Sequence, residues 1–204
     1  MSLYDAILKG DAKTAKEATE AALAEGCDPM ALVHDVMMPA MGEVGSKFER
    51  NEYFVPELLL AARAMKAALE LIRPRLAAGG IEPVGRVIIG TVKGDLHDIG
   101  KNLVAAMLEG GGYEVVDLGV NVDPQKFVAA IKAKNARIVA LSALLTTTMP
   151  AMKTTIDAFK SAGVRDRIKV MVGGAPVSEA YAKEIGADGY AKSAAGAVAA
   201  ARAL

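Results

Sequence analysis

The sequence predicts an α + α/β protein in two parts, a helical bundle over residues 1–78 and a parallel α/β sheet over residues 86–204. Two observations carry this prediction. Apolar residues recur at helical spacing in the first part, whereas the second part alternates short apolar runs with amphipathic segments. Residues 79–85 contain two consecutive glycines and a proline, and they are predicted to link the two parts.

The helical part contains four predicted helices, bounded by start and stop signals: Leu3–Leu8, Ala12–Ala24, Asp28 to about Val44, and Glu57–Ala78. Asp11 is the predicted N-cap of the second helix, because its side chain can accept a hydrogen bond from a free backbone N–H. Pro29 suits the first turn of the third helix, and Pro39 predicts a bend in it. Four helices in about 75 residues favour a small antiparallel bundle.

The second part contains five predicted strands, each short and apolar: Arg86–Thr91, Tyr113–Asp117, Ile138–Ser142, Lys169–Gly173 and Gly189–Ala191. Helical segments are predicted between and after them, over Ile99–Glu109, Pro124–Lys134, Met149–Ala162, Ser178–Ile185 and Ala194–Leu204. This alternation is typical of βαβ units and a parallel sheet. Five strands fit the flavodoxin-like, Rossmann-type order 2-1-3-4-5, in which ligands bind beyond the carboxyl ends of strands one and three.

Composition argues against several classes of function. The chain has 24 basic and 24 acidic residues, so no nucleic-acid partner is expected. Cys27 is the only cysteine, which excludes an internal disulfide and a cysteine metal cluster. The first residues are charged, and no apolar run approaches the roughly 18 residues of a membrane span. We therefore expect a cytoplasmic protein with no membrane partner.

The loop after the first strand carries the most specific signal for chemistry. Asp95 and His97 lie two residues apart, and a histidine that ligates a metal usually donates its other ring N–H to a carboxylate. Gly94 and Gly100 allow the backbone to approach a bulky group. Small and polar residues also follow strands three and four, where they leave room for a long, narrow portion of a ligand.

Three segments together resemble the signature of cobalamin-binding domains of the base-off, His-on type: Asp95-x-His97-x-x-Gly100, Ser142-x-Leu144 and Gly173-Gly174. The resemblance implies that His97 is the cobalt ligand and that Asp95 is its hydrogen-bonding partner. It also implies a slot for the displaced nucleotide tail, lined by Ser142, Leu144, Gly173 and Gly174. In the family, a serine often follows the aspartate and the histidine in a chain of hydrogen bonds. Thr148 occupies the position of that serine here. The predicted binding set further includes Gly94, Leu96, Asp98, Ile99, Thr146 and Tyr190.

The helical part resembles the cap of corrinoid methyltransferases such as cobalamin-dependent methionine synthase. The similarity lies in Met41-Gly42-x-x-Gly45-x-x-Phe48, residues 53–57 and residues 62–65. It implies that Phe48 and Val55 cover the methyl face of the corrin. The same two residues could instead belong to an ordinary bundle core.

The resemblance extends over nearly the whole chain and implies a corrinoid carrier of the methylamine, methanol or aryl-ether type. Such a carrier accepts a methyl group on cobalt from a substrate-specific methyltransferase. It then presents the methyl group to an acceptor methyltransferase that serves a thiol or a tetrahydropterin. A reductive activase is a further expected partner, and the carrier is not expected to be catalytic alone.

Several alternatives remain open from the residues. The Asp-x-His-x-x-Gly motif also occurs in small subunits of adenosylcobalamin mutases and in cobalamin sensors. A flavodoxin-like binder of another nucleotide is a third alternative. His97 could be a loop histidine without a metal, and Asp95 could cap a helix. Gly94-Asp95 together with Lys192 gives weak support to a receiver-type phosphoacceptor.

Overall fold

The computed structural model describes residues 1–78 and 84–204 and divides into two compact units. The helical unit comprises Met1–Val84 with Ala106–Gly112, and the α/β unit comprises Gly85–Ala105 with Tyr113–Leu204. Most of the predicted linker, residues 79–83, lies outside the described residues. Within the described ranges, no helix has both the length and the apolar character needed to cross a bilayer.

The helical unit is built from α1 (Leu3–Leu8), α2 (Ala12–Ala24), α3 (Pro29–Ala31), a π-helical segment (Leu32–Met37), α4 (Met38–Glu49) and α5 (Val55–Ala78). The predicted N-cap at Asp11 is confirmed, because its Oδ1 accepts a hydrogen bond of 3.0 Å from the backbone N–H of Thr14. Asp28 caps α3 in the same way, with 3.1 Å between its Oδ2 and the amide nitrogen of Ala31.

The third predicted helix differs from the prediction in two respects. It ends at Glu49 rather than near Val44, because the apolar spacing continues to Phe48, which is half-buried. It also contains the π-helical segment in place of a simple bend. Pro39 has no N–H to donate, and just before it Met38 donates its N–H to the carbonyl of Val33, five residues back.

The core of the helical unit is apolar and closely packed. Ile7, Met37, Leu58 and Met65 have no exposed surface, and small alanines such as Ala64 allow α5 to approach its neighbours. α2 packs along α5. Met37 and Met41 are buried in this core, whereas Met38 is half-buried and His34 is exposed.

The α/β unit contains β1 (Arg86–Thr91), β2 (Glu114–Asp117), β3 (Ile138–Ser142), β4 (Lys169–Gly173) and β5 (Gly189–Ala191). The connecting and terminal helices are α6 (Ile99–Gly110), α7 (Pro124–Lys134), α8 (Pro150–Ser161), α9 (Glu179–Glu184) and α10 (Ala194–Ala203), with a 3-10 turn at Arg165–Arg167. The part of α6 from Ala106 onward belongs to the helical unit. All neighbouring strands are parallel, and their order is β2-β1-β3-β4-β5. The predicted fold class is therefore confirmed.

The two faces of the sheet have different surroundings. On one face, Ile88, Val139 and Val170 belong to a hydrophobic core that contains Phe127 and Phe159. The two aromatic rings meet edge to face, with 6.3 Å between their centroids. On the other face, residues in register form successive rows across the strands. In the last of these rows, the final residues of β1, β3, β4 and β5 are paired. The carboxyl ends of these four strands therefore lie side by side at one edge of the sheet.

Candidate functional site

A cavity of about 590 Å³ opens at this edge of the α/β unit. Its inner wall is the row formed by Ile89, Ala140 and Met171. Two residues further along the strands is a row of small side chains, formed by Ser142, Gly173 and Ala191. The first turns of α6 and the start of α10 complete the wall. The cavity is therefore narrow and mostly apolar within the sheet, with its opening beside the loop that carries His97.

His97 lines this cavity, and its side chain is 49% exposed. Its Nδ1 lies 2.9 Å from Oδ1 of Asp95, and its backbone N–H donates to the same oxygen at 3.0 Å. Nε2 makes no hydrogen bond to any residue that the structure describes. A neutral imidazole that donates from Nδ1 carries its lone pair on Nε2, so Nε2 is the atom available to a metal.

Asp95 is completely buried beneath His97. Its Oδ2 accepts hydrogen bonds from the backbone N–H of Leu144 at 2.8 Å and from Oγ1 of Thr148 at 2.6 Å. Burial acts to raise the pKa of Asp95, but the hydrogen bonds from Thr148, Leu144 and His97 outweigh it and hold the pKa well below its usual range. The carboxylate is therefore ionised at neutral pH and is a strong acceptor for His97.

Several contacts of this loop involve residues that sequence reasoning did not identify. Thr91 donates its hydroxyl to the carbonyl of His97 at 2.8 Å. Asn121, in the connection between β2 and α7, bonds to the backbone of both Gly94 and Asp95. No motif links Asn121 to Asp95, because only the pairing of β1 with β2 brings the two segments together. The sequence offers one clue to the role of Asn121. It follows the second strand, which the predicted strand order places beside the first strand.

A buried lysine was also missed. Lys101, in the first turn of α6, pairs with Asp117 at the end of β2 and donates to Oδ1 of Asn102 at 2.6 Å. The side chain of Lys101 is 2% exposed, whereas that of Asp117 is 38% exposed. A buried ammonium needs such a partner. The pair ties the beginning of α6 to the adjacent strand.

The structure places most of the predicted residues together. Nine of them line the cavity: Leu96, His97, Asp98, Ile99, Gly100, Ser142, Leu144, Gly173 and Gly174. Asp95 and Thr148 lie behind His97. Gly94, with a φ of +83°, lies in the same loop beside Asn121.

Two predicted residues are not brought to the cavity. Tyr190 packs against the hydrophobic core on the opposite face of the sheet, and its neighbour Ala191 lines the cavity instead. The reason is that successive side chains of a strand point to opposite faces. Thr146 is exposed in the turn after β3 and is absent from the cavity lining found among the described residues.

The glycines of the site serve different purposes. At Gly174, where φ is +135°, a Cβ atom would lie 1.8 Å from the carbonyl oxygen of Ala143, so the close approach of two backbone segments requires glycine. At Gly100, no described atom lies within 4 Å of the position of a Cβ atom. Open space therefore borders the first turn of α6, next to His97.

These observations fit a corrinoid. Leu96 and Ile99, which flank His97, are 71% and 75% exposed, and such apolar surface suits the edge of a large hydrophobic ring. In residues 1–78 and 84–204, no three His, Cys, Asp or Glu side chains cluster as metal ligands. A corrin ring brings ligands of its own for the cobalt, so a single protein ligand such as His97 suits this cofactor. His97 would hold the cobalt, and the small-residue row would admit the narrow part of the cofactor.

A family model described as a B12 binding domain matches residues 85–199, and a second with the same description matches residues 2–73. The chain belongs to the B12-binding family. Its cofactor is therefore a cobalamin-type corrinoid, as predicted. The resemblance to corrinoid proteins of methyltransferase systems is also confirmed by the relatives of this B12-binding protein.

The chain is 44% identical to trimethylamine corrinoid protein 1 of Methanosarcina acetivorans, over 98% of this chain and 94% of the relative. It is 40% identical to a corrinoid protein of Desulfitobacterium hafniense, over 95% of this chain and 93% of that one. Among solved structures, the methanol:cobalamin methyltransferase complex MtaBC of Methanosarcina barkeri is similar with a TM-score of 0.85 and 32% identity. That match covers 98% of this chain and 77% of the other.

Proposed function

We propose that this B12-binding protein is a methyl carrier, which receives a methyl group from a substrate-specific methyltransferase and presents it to a second methyltransferase. The acceptor of the second reaction is a thiol or a tetrahydropterin. The bound corrinoid supplies the cobalt centre at which a methyl group is taken up and given away. The observation that carries the proposal is the Asp95–His97 pair, which leaves Nε2 of His97 available at the opening of the cavity.

In this proposal each residue of the site has a defined task. His97 binds the metal through Nε2, and Asp95 orients the imidazole and keeps the proton on Nδ1. Thr148 and the backbone of Leu144 hold Asp95 from the other side. Leu96 and the other apolar residues of the opening contact the ring and exclude water from it. Ser142, Gly173 and Gly174 leave space between the strands for the nucleotide tail.

The helical unit has a separate task in the proposal. Phe48 is half-buried in it, whereas Val55 is exposed at the start of α5. On the strength of the resemblance to corrinoid methyltransferase caps, we assign both residues to the protection of the methyl group. Because two different enzymes must reach this group, the cap has to move aside in each half-reaction.

The relatives support the partners in this proposal. Their names include trimethylamine and dimethylamine corrinoid proteins, and the similar solved complex is a methanol:cobalamin methyltransferase. We therefore expect the methyl donor to be a small methylated compound bound by the first enzyme. Substrate choice then depends on that enzyme rather than on the carrier. A reductive activase completes the expected set of partners.

His97→Ala tests the role of His97. The variant should lose the visible absorption of the histidine-ligated corrinoid after reconstitution with hydroxocobalamin, and it should lose most methyl transfer in the presence of partner methyltransferases. His34→Ala is the matched control, since His34 is the only other histidine and is exposed. A wild-type spectrum and wild-type transfer in His97→Ala would overturn the assignment of the ligand. Failure of the wild-type protein to take up any corrinoid would overturn the carrier function itself.

A further inference from the structure

The loop that carries His97 depends on hydrogen bonds for its position. Residues 92–98 form no helix or strand apart from a single bridge between Val92 and Val122. The side chain of His97 is half exposed, so packing does not hold it in place. Its ring is oriented by Asp95, whose carboxylate is held at Oδ2 by Leu144 and Thr148 and whose own position depends on the backbone of the loop.

Asn121 holds this backbone at two points. Its N–H donates to the carbonyl oxygen of Asp95 at 2.9 Å. Its Oδ1 accepts a hydrogen bond from the N–H of Gly94, also at 2.9 Å. The first contact holds the peptide that follows Asp95, and the second holds the peptide that precedes Gly94. Asn121 therefore fixes both peptides that flank the Gly94–Asp95 unit.

Asn121 is itself held beside the loop. Its φ is +51°, a left-handed conformation that asparagine adopts more readily than most residues. The next residue, Val122, donates its N–H to the carbonyl of Thr91 at 2.9 Å and forms the bridge to Val92. Asp123 then caps α7. The position of Asn121 is thus determined by the end of β1 and the start of a helix.

We infer that Asn121 is a positioning residue for His97. By fixing the two peptides around Gly94–Asp95, it directs the Asp95 carboxylate toward Nδ1 of His97. This increases the share of bound corrinoid that has His97 as its cobalt ligand. The inference rests on the proposed function, because it takes His97 to be that ligand.

The decisive experiment measures the dissociation constant for cobalamin in a double-mutant cycle. Asn121→Gly keeps the left-handed backbone and the N–H donor and removes only the side-chain acceptor. With His97 present, it should weaken binding about five- to tenfold, as expected for the loss of one hydrogen bond, or about 1 to 1.4 kcal/mol at 1.4 kcal/mol per tenfold. In the His97→Ala background, the same substitution should change the constant less than about twofold, because contacts made through His97 are already lost.

Two further variants separate the side-chain acceptor from general effects on folding. Asn121→Asp retains an acceptor oxygen and should restore nearly wild-type affinity. Asn135→Gly makes the same chemical change at another asparagine with positive φ, +48°, at the C-cap of α7, and should leave the affinity unchanged. In electron paramagnetic resonance spectra of the cobalt(II) form, the splitting that a nitrogen of His97 would produce should weaken in Asn121→Gly and be retained in the two other variants.

The outcomes distinguish this inference from the proposed function. An equal loss of affinity with and without His97 would mean that Asn121 supports the cavity in general, and the inference would be wrong while the carrier function stands. Unchanged affinity and unchanged nitrogen splitting in Asn121→Gly would also overturn it. If wild type and His97→Ala bind cobalamin equally well and give the same spectrum, the ligand assignment fails instead.

Discussion

The helical unit and the α/β unit bury different kinds of residue. Within the described part of the helical unit, the buried polar side chain is Thr19, whose hydroxyl donates to the carbonyl of Ala15 in its own helix at 2.7 Å. The α/β unit buries a carboxylate and an ammonium, Asp95 and Lys101, together with the hydroxyl of Thr148. Burial of charge is costly unless each group is paired. Buried charged groups with hydrogen-bonding partners therefore lie beside the candidate site in the α/β unit, whereas the helical unit depends on apolar packing.

The largest expected difference between the units concerns two glycines with positive φ. Gly174→Ala should lower the free energy of unfolding by about 4 kcal/mol or more, because the new Cβ atom would collide with the backbone of Ala143. Gly26→Ala, at the end of α2, should cost only about 1 kcal/mol, since φ is +84° but no described atom lies within 4 Å of the added carbon. Urea unfolding followed by circular dichroism measures both. Similar losses for the two variants would contradict the requirement for close backbone contact at Gly174.

The next largest effect is expected at the buried carboxylate. Asp95→Ala leaves the N–H groups of Leu144 and His97 without their acceptor, and the hydroxyl of Thr148 keeps only the carbonyl of Leu145, so the free energy of unfolding should fall by about 3 kcal/mol. Asp98→Ala is the matched control in the same loop. Because Asp98 is exposed, its loss should cost less than about 1 kcal/mol. Thermal unfolding of the cofactor-free proteins can rank the two, and an equal cost would refute the structural importance of Asp95.

A smaller effect is expected for the ion pairs of the two units. Lys101→Ala should cost about 2 kcal/mol, less than a fully buried pair, because Asp117 is 38% exposed and water can solvate it. In the helical unit, Lys66 pairs with Glu109 at 3.3 Å, but Lys66 is 49% exposed, so Lys66→Ala should cost at most about 1 kcal/mol. Chemical denaturation in low and high salt provides the comparison. The cost of Lys66→Ala should decrease in salt, and a stronger salt dependence for Lys101→Ala would oppose our view of that pair.

The smallest effect is expected for two buried hydroxyls. Thr148→Val should lower the free energy of unfolding by about 1.5 kcal/mol, because Asp95 loses a donor, whereas Thr148→Ser should remain close to wild type. Thr19→Val should change it by no more than about 0.5 kcal/mol, since that hydroxyl bonds only within its own helix. Differential scanning calorimetry can resolve these values. If Thr19→Val costs as much as Thr148→Val, the contrast between the units does not extend to single hydroxyls.

Much of the fold could be predicted because its signals are local. The predicted N-cap at Asp11 depends on a contact within three residues, and apolar periodicity marks the longer helices and strands. The π-helical segment was missed, because the sequence indicates a disturbance near Pro39 without specifying how the helix adapts to it. Tyr190 was included in the predicted binding set but packs against the core, because a strand of three residues is too short to show from its sequence which side chains face the cavity.

For the site, the sequence alone was enough to predict that Asp95 pairs with His97, because two residues of the same loop can meet through local geometry. It also indicated which strand ends surround them, since parallel strands in this order bring their carboxyl ends to one edge. Only the tertiary structure decided which distant groups complete the loop. Asn121 and Asp117 reach residues 94, 95 and 101 through the pairing of β2 with β1, and contacts made by strand pairing leave no fixed spacing in a single sequence.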